Sequence, residues 1–146
     1  MIFWIKAVAT FFFIGTLPLA PGTWGTAAGF LIAWFLTPAL PVLLVGFCIA
    51  GFLVCRPAQT VLGSSDPSQF VMDEVCGMMM SVLWLPKDPI LYLAAFVLFR
   101  IFDVLKPWPI SLIQKNKNPL SIMWDDLAAG VGANIFLQRD SWQSME

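Results

Sequence analysis

Histidine is absent from the 146 residues of this sequence, and that absence excludes several kinds of chemistry. A Ser-His-Asp hydrolase, a histidine general base and a histidine-ligated metal are all excluded, so catalysis would depend on carboxylates, lysine, arginine and water. The three cysteines have no C-x-x-C spacing, and none is followed by an arginine at the distance that a Cys-x5-Arg phosphatase requires. These spacings argue against a disulfide framework and a zinc site, and they exclude that phosphatase class.

Charged residues are scarce as well. They make up 12% of the sequence and apolar residues 59%, whereas about a quarter of the residues in a soluble domain are charged. Together with a mean hydropathy of +0.81, this composition predicts an integral membrane protein. The length fits one domain, residues 1–146. The net charge of -1 and the absence of a basic patch argue against a nucleic acid partner.

The apolar runs predict an all-α fold, a multi-helix membrane bundle with about four transmembrane or partly embedded helices plus interfacial helices. Residues 1–14 predict a helix lying in or near the interface. Residues 27–36 and 39–55 predict a hairpin of two apolar helices, the second ending at Arg56. The first of these helices is short for a full membrane crossing. The remaining apolar runs predict helices over residues 90–105 and from Ser121 onward.

Residues 15–26, reading G-T-L-P-L-A-P-G-T-W-G-T, predict an uncharged loop because prolines and Gly-Thr pairs interrupt the helical pattern. Glycine lets backbone N–H groups approach an anion closely, and threonine hydroxyls donate hydrogen bonds to phosphate. Thr16, Thr23 and Thr26 are therefore candidate phosphate-binding residues. The alternative is an ordinary turn in which Thr26 caps the next helix.

Acidic residues follow at two positions of the next segment. Asp66 precedes Pro67, a pattern that predicts a helix start with Asp66 as the capping residue. Asp73 and Glu74 would then lie about two turns into that helix, too deep to cap it. We therefore interpret Asp73 and Glu74 as functional candidates, and Asp66 as a cap that is also a further candidate metal ligand.

Arg100, Asp103 and Lys106 recur at every third residue at the end of a long apolar run. On a helix this spacing places the three ionisable groups on one face. Such groups beside a membrane-like segment indicate a functional site, because burying them without partners is costly. The alternative is a ladder of charges that closes the helix, with cations near its C-terminus and Pro107 ending it.

Three spacings predict that the acidic residues lie at one level. The intervals from Asp73 to Leu85, from Leu91 to Asp103 and from Asp125 to Leu137 are equal in length, about 18 Å of helix. Each interval runs between an acidic residue and the far end of an apolar run. If the helices alternate in direction, the carboxylates converge. By the positive-inside rule the side on which they converge is cytoplasmic. That side holds Arg56, Lys106, Lys115 and Lys117, and the opposite side holds Lys87 and Arg139.

A cluster of carboxylates without histidine or thiolate suits a hard cation, above all Mg²⁺, which is commonly shared with a substrate phosphate. Arg100 and Lys106 could hold the phosphate oxygens, arginine as a planar fork and lysine as a point charge. A site at the membrane interface is suited to a lipid, whose headgroup meets the acids while its acyl chains stay in the bilayer. These groups therefore predict phosphoester hydrolysis on a phospholipid.

Four segments resemble, in order, the signatures of the phosphatidylglycerophosphatase A family. They read G-T-L-P-L-A-P-G-T-W-G-T, D-P-S-Q-F-V-M-D-E-V-C-G-M, F-R-I-F-D-V-L-K-P-W-P-I and M-W-D-D-L-A-A-G-V, and the resemblance spans about residues 15–134. It implies an all-helical bundle that removes the terminal phosphate from phosphatidylglycerophosphate in a Mg²⁺-dependent reaction, giving phosphatidylglycerol. It also implies a multi-pass protein of the bacterial inner membrane. The candidates that it carries over are Asp66, Asp73, Glu74, Arg100, Asp103, Lys106, Asp125 and Asp126.

Depth and spacing suggest how the candidates divide. We expect Asp73, Glu74, Asp103 and Asp126 to serve the metal and, together with Asp125, to form the catalytic carboxylates. We expect the active site to face the cytoplasm and the partners to be the membrane and a phospholipid substrate. Nothing in the sequence specifies an oligomeric state.

A small ion-coupled transporter or channel subunit is the alternative from another functional class, since such proteins also place acids within the membrane. That alternative predicts charges distributed across the depth of the bilayer. The acids here gather at one level, which favours an interfacial enzyme.

Overall fold

The computed structural model describes residues 1–63, 69–105, 110–115 and 120–144, and within these ranges the only regular structure is helical. The all-α prediction is confirmed for these residues. Short 3-10 turns occupy Ile14–Thr16 and Thr37–Ala39. The α-helices of the described residues are α1 (Ile2–Ala9), α2 (Pro21–Phe35), α3 (Leu40–Leu62), α4 (Met72–Val82), α5 (Pro89–Leu105), α6 (Ile110–Lys115) and α7 (Ser121–Ser144).

Helix α4 is the centre of the fold. Every α4 residue except Glu74 and Met80 is buried, because α2, α3, α5 and α7 all pack against it. Val75, Met78 and Met79 are completely buried, and each such side chain contributes about 1.5–3 kcal/mol of hydrophobic stabilisation. A residue at the start of α4 is therefore surrounded by the neighbouring helices.

Helices α4 and α7 run parallel in direct backbone contact. Gly130 packs so closely on Gly77 that a Cβ at position 130 would collide with the Gly77 carbonyl. Further along both helices, the Asn134 side-chain amide donates hydrogen bonds to the carbonyl oxygens of Ser81 at 3.2 Å and Leu83 at 2.8 Å. These contacts satisfy carbonyls at the end of α4 that have no partner within the helix, and they fix the register between the two helices.

The predicted loop over residues 15–26 is wrong in its second half, because α2 begins at Pro21. Proline is well suited to the first helical position, where its missing N–H costs no hydrogen bond. Gly25 and Gly29 lie on the face of α2 that packs on α4, where a Cβ would come within 2.7 Å of Val71 Cβ and 2.8 Å of Val75 O. Close helix packing therefore explains these glycines better than loop formation does.

The predicted end of the second apolar helix at Arg56 is also wrong. Helix α3 continues through Pro57 to Leu62 and ends where Gly63 adopts a left-handed φ of 76° and donates its N–H to the Gln59 carbonyl. The core face extends past Arg56, since Ala58 is completely buried. The predicted break near Thr37 between the two apolar helices is confirmed. The predicted hairpin is not, because both helices pack on α4 and make few contacts with each other.

The N-terminal helix is shorter than predicted. Helix α1 ends at Ala9, and the chain then turns through left-handed conformations at Phe11, Phe12 and Phe13. The Thr10 hydroxyl stabilises this turn, since it donates to the Lys6 carbonyl at 2.7 Å and accepts the Phe13 N–H at 3.0 Å.

The start of α4 corrects the predicted depth of the acidic pair. The Val71 N–H donates to the Ala9 carbonyl at 3.0 Å, so the segment before α4 is attached to the end of α1 and the helix begins only at Met72. Asp73 and Glu74 therefore lie in the first helical turn, not two turns in. The predicted cap, Asp66, lies outside the described residues.

The outer surface is strongly apolar. Among the described residues, Thr37–Leu62 is the one helical stretch long and apolar enough to cross a membrane. Helix α5 is shorter, at 17 residues, but it exposes an apolar stripe formed by Ile90, Leu93, Val97, Ile101 and Val104. Exposed helix faces of this composition are typical of contact with lipid. About four embedded helices were predicted, and the described residues give one clear candidate.

Candidate active site

Three carboxylates converge where α4 and α7 begin. Asp73 and Glu74 come from the first turn of α4 and Asp126 from the second turn of α7, and one oxygen of each lies within 4.8 Å of the others. Asp73 is only 6% exposed and Asp126 only 2%. We refer to Asp73, Glu74 and Asp126 as the acid cluster.

The parallel register of α4 and α7 explains the convergence. Asn134 and Ser81 are hydrogen-bonded across the two helices at a separation of 53 residues, and the same separation relates Asp126 to Asp73 (126 − 73 = 53). Both helices also direct their N-terminal ends towards the cluster. The positive end of a helix dipole stabilises a nearby anion by about 0.3–1 kcal/mol, so the two helix starts partly offset the repulsion among the carboxylates.

Helix α5 contributes an ion pair to the same site. Arg100 Nη1 lies 2.7 Å from Asp103 Oδ2 across one helical turn. Asp103 also lies near enough to Asp126 for the two carboxylates to repel each other. The last turns of α5 therefore add a cation and a fourth acid to the acid cluster.

The first turn of α2 closes the site from another side. A Cβ at Gly22 would lie 3.0 Å from Arg100 Nη1 and 3.2 Å from Glu74 Oε1, so the Gly22 backbone lies directly against both side chains. The sequence analysis placed Gly22 in a loop and did not single it out. The signal that could have identified it is the spacing of Gly22, Gly25 and Gly29 behind Pro21, which is that of one helix face.

The electrostatics of the cluster are unfavourable without a compensating cation. Within the described residues, Glu74 Oε2 and Asp126 Oδ2 are buried and accept no hydrogen bond. Asp73 and Asp126 lie outside the candidate span Thr37–Leu62. Burial raises the pKa of each of these two residues, and repulsion from neighbouring carboxylates raises it further. Buried carboxylates in this arrangement need protons or a cation.

These carboxylates fit a hard divalent cation. All the candidate donors are oxygens, the set that Mg²⁺ prefers, and two of them are buried oxygens that still lack a partner in the described part of the chain. The acid cluster therefore has the chemistry of a cation site that can be shared with a phosphate.

The other predicted site residues are not members of the acid cluster. Asp125 is 8% exposed and directly precedes Asp126. Thr23 is exposed and follows Gly22 in the first turn of α2. Thr16 is exposed in the first 3-10 turn, where its hydroxyl donates to the Phe13 carbonyl at 2.6 Å. Lys106 lies outside the described residues.

The Thr26 hydroxyl does not take part in the acid cluster. It is the sixth residue of α2 and completely buried, and its hydroxyl donates to the Gly22 carbonyl at 2.8 Å. The hydroxyl proton is therefore used within the helix. The alternative interpretation of Thr26 as a helix cap is wrong, because α2 begins five residues earlier at Pro21.

Comparison with known proteins gives consistent results. Residues 7–139 match the family model described as phosphatidylglycerophosphatase A. A phosphatidylglycerophosphatase A of Escherichia coli is 38% identical over 80% of this chain and 72% of its own length. One from Haemophilus influenzae is 35% identical over 90% and 85%, respectively. A putative phosphatidylinositol-3-phosphatase of Bacteroides thetaiotaomicron is 33% identical over 92% of each chain. No solved structure matches significantly.

Proposed function

Since the chain belongs to the phosphatidylglycerophosphatase A family, we propose that the acid cluster is the site where it hydrolyses phosphatidylglycerophosphate to phosphatidylglycerol and phosphate. The protein is a phosphoric monoester hydrolase of phospholipid biosynthesis. The observation that carries the site assignment is the convergence of Asp73, Glu74 and Asp126 within 4.8 Å, two of them almost fully buried.

The proposed cofactor is Mg²⁺, held by Asp73, Glu74 and Asp126, with Asp103 as the neighbouring acid. A bound divalent cation would neutralise the phosphoryl oxygens during hydrolysis. The unpartnered buried oxygens of Glu74 and Asp126 support this assignment. Asp66 remains a proposed additional ligand on the basis of the family signature alone.

Arg100 is the proposed phosphate-binding residue. Its guanidinium lies between Asp103 and the Gly22 backbone, and such a planar fork matches phosphate oxygens in a bidentate manner. The ion pair with Asp103 holds the fork in place before substrate binds. Lys106 and the exposed Thr23 are proposed to add further contacts to the phosphate.

The hydrolysis itself transfers the terminal phosphoryl group to water. The bond between phosphorus and the glycerol oxygen breaks, the leaving oxygen takes up a proton, and one carboxylate accepts the proton of the attacking water. Asp125 and Asp103 flank the cluster and are the proposed candidates for this base.

We propose that the protein is a multi-pass protein of the bacterial inner membrane with the acid cluster at the cytoplasmic face. The candidate span Thr37–Leu62 and the apolar outer stripe of α5 support membrane embedding. The cluster lies at the ends of α4, α5 and α7, which would position it at the level of lipid headgroups. An ion-coupled transporter would instead distribute its charges along the helices.

The direct test measures phosphate release from phosphatidylglycerophosphate in detergent micelles. We expect release with Mg²⁺, none after chelation, and none from Asp103→Ala at either condition. The matched control is Asp140→Ala, an exposed acid on α7 far along the helix from the cluster, which should retain wild-type activity. Undiminished release by Asp103→Ala would refute the proposed role of Asp103. Undiminished release in excess chelator would refute the proposed cofactor.

The similarity to a putative phosphatidylinositol-3-phosphatase makes inositol lipids a second substrate class to compare. The same assay with phosphatidylinositol 3-phosphate gives a ratio of kcat/KM values. We expect the ratio to favour phosphatidylglycerophosphate, since two of the three relatives described above carry that activity in their names.

A further inference from the structure

The segment that joins the first 3-10 turn to α2 lies at the end of the bundle that holds the acid cluster. We refer to this segment, residues 17–20, as the strap. The glycines on either side of it both pack on the chain that starts α4. A Cβ at Gly15 would collide with the Gln69 carbonyl, and one at Gly22 would lie 3.2 Å from Glu74 Oε1. The strap is therefore held beside the first turn of α4.

The strap presents a leucine in an unfavourable backbone conformation. Leu19 has a left-handed φ of 80°, which glycine adopts freely and a residue with a branched side chain rarely adopts. The Leu19 side chain is 95% exposed, so it gains almost no contact with the described part of the chain in return. The stabilisation that favours an apolar side chain at this position therefore comes from outside the protein.

Trp24 holds the strap on the outer side of α2. Its indole N–H donates to the Pro18 carbonyl at 3.1 Å, which satisfies the one polar group of the ring. Trp24 follows Gly22 by two residues, a spacing of about 200° around the helix, so it faces away from the acid cluster. A half-exposed tryptophan with a satisfied N–H is typical of the boundary between lipid and water.

The chain just before the strap connects this surface to the candidate membrane span. Phe12 is 71% exposed and packs edge-to-face on Phe11 at a centroid distance of 5.2 Å. Phe11 packs in the same way on Phe47 at 5.5 Å, and Phe47 lies within the span Thr37–Leu62. The exposed aromatic turn therefore lies beside a helix that is long and apolar enough to cross a membrane.

The chemistry of this surface favours lipid over a protein partner. No charged residue occurs in the sequence between Lys6 and Arg56, a stretch that includes the strap, the aromatic turn and most of the candidate span. A docking site for a soluble protein usually has a polar rim around its apolar centre. An uncharged, exposed apolar surface beside a candidate span is typical of contact with hydrocarbon.

From these observations we infer that the strap inserts Leu19 into the lipid of the membrane leaflet next to the acid cluster, with Trp24 at the level of the headgroups. The inference rests on the proposed membrane location of the enzyme. It gives the strap a task beyond joining two helices, because an inserted strap fixes the depth of the first turn of α2. That turn contains Gly22, whose backbone lies against Arg100 and Glu74.

The test places a fluorescent label on the strap and measures its contact with lipid. Leu19→Cys is made in a Cys48→Ala background, where the other two cysteines are buried, labelled with bimane and reconstituted into phosphatidylcholine–phosphatidylglycerol vesicles. We expect brominated acyl chains to quench this label as strongly as one at Val45→Cys, on the exposed face of the candidate span. Aqueous iodide should quench it far less than a label at exposed Asp140→Cys. Leu17→Cys is a second strap position with the same expected result.

The possible outcomes separate the inference from the proposed function. Quenching of both strap labels by iodide and not by brominated lipid would show that the strap faces water, and quenching by neither reagent would show that protein covers it. Either result overturns the inference. If Val45→Cys also escapes brominated lipid, the proposed membrane location fails together with the inference.

Hydrolysis is measured separately, as phosphate release from phosphatidylglycerophosphate by the wild type in the same vesicles. Quenching at position 19 requires no turnover. Lipid quenching of the strap without phosphate release would therefore count against the proposed reaction and leave the lipid contact established.

Discussion

Gly130 lies against the backbone of Gly77, with no room for a side chain between α7 and α4. The register set by this contact also places Asp126 beside Asp73, since both pairs are separated by the same number of residues (130 − 77 = 53). The packing of two small residues in the apolar part of the bundle thus determines the geometry of the acid cluster one turn away.

Gly130→Ala should therefore destabilise the protein. The added methyl group collides with the Gly77 carbonyl, and overpacking of this kind costs about 1–3 kcal/mol. The midpoint of thermal unfolding in detergent measures the effect. Gly46→Ala is the control, because nothing lies within 4 Å of its Cβ position and alanine favours a helix by up to about 1 kcal/mol. Equal midpoints for the two variants would contradict direct helix contact.

Gly22→Ala should reduce activity more than stability. The new methyl group would lie 3.0 Å from Arg100 Nη1 and 3.2 Å from Glu74 Oε1, so both side chains must shift. The required shift is a few tenths of an ångström, so we expect the rate to fall by less than the roughly 100-fold that a misplacement of about 1 Å can cost. Phosphate release at saturating substrate, compared with that of Gly46→Ala, measures the effect. Wild-type activity in Gly22→Ala would show that the α2 start does not shape the site.

Asp126→Asn should separate cation binding from folding. With chelator present, the variant is expected to be at least as stable as the wild type, because the neutral amide relieves repulsion from Asp73 and Glu74. Added Mg²⁺ should raise the unfolding midpoint of the wild type but not of the variant, since a ligand stabilises the state that binds it. Hydrolysis should be abolished.

The control for that experiment is Asp88→Asn. Asp88 accepts the Ile90 and Leu91 N–H groups at the start of α5, and asparagine caps a helix equally well. This variant should keep both activity and stabilisation by Mg²⁺. If Asp126→Asn were stabilised by Mg²⁺ as strongly as the wild type, the acid cluster would not be the cation site.

Arg100→Lys should preserve the positive charge but lose the planar hydrogen-bonding geometry of the guanidinium group. A lysine cannot form the planar fork that pairs with Asp103 and with phosphate, so we expect kcat/KM to fall by about 10–100-fold, or roughly 1.4–2.7 kcal/mol. The same substitution at exposed Arg56 on α3 should have no effect. Equal kcat/KM values for Arg100→Lys and the wild type would show that Arg100 serves only in a structural ion pair with Asp103.

The sequence pattern predicted helices well where the apolar runs were long and uninterrupted. Residues 90–105 were predicted as one helix, and α5 occupies Pro89–Leu105. Helix α7 begins at Ser121, the residue that was expected to cap it. The helix starts at Pro21 and Met72 were missed because tertiary contacts decide them. Glycine contacts with α4 stabilise the first turns of α2, and a hydrogen bond from Val71 to Ala9 delays α4.

The candidate site was predictable to a similar extent. The shared level was predicted from spacing for Asp73, Asp103 and Asp125, whereas the structure brings the adjacent Asp126 into the acid cluster. The depth assumed for Asp73 within its helix was wrong. Spacing along the chain does not show which backbone lies against a side chain. For that reason the approach of Gly22 to Arg100 and Glu74, and the internal hydrogen bond of Thr26, emerged only from the three-dimensional structure.

The parallel pairing of α4 with α7 also has a consequence for biosynthesis. Asp73 is translated 53 residues before Asp126 (126 − 73 = 53), and α5 must fold back between them for the two helices to run in the same direction. A chain still on the ribosome therefore holds an incomplete set of carboxylates, with α4 waiting for its last neighbour. With the acid cluster as the proposed catalytic site, we expect phosphatase activity only after α7 has docked, so that the growing polypeptide does not act on lipid before its assembly is finished.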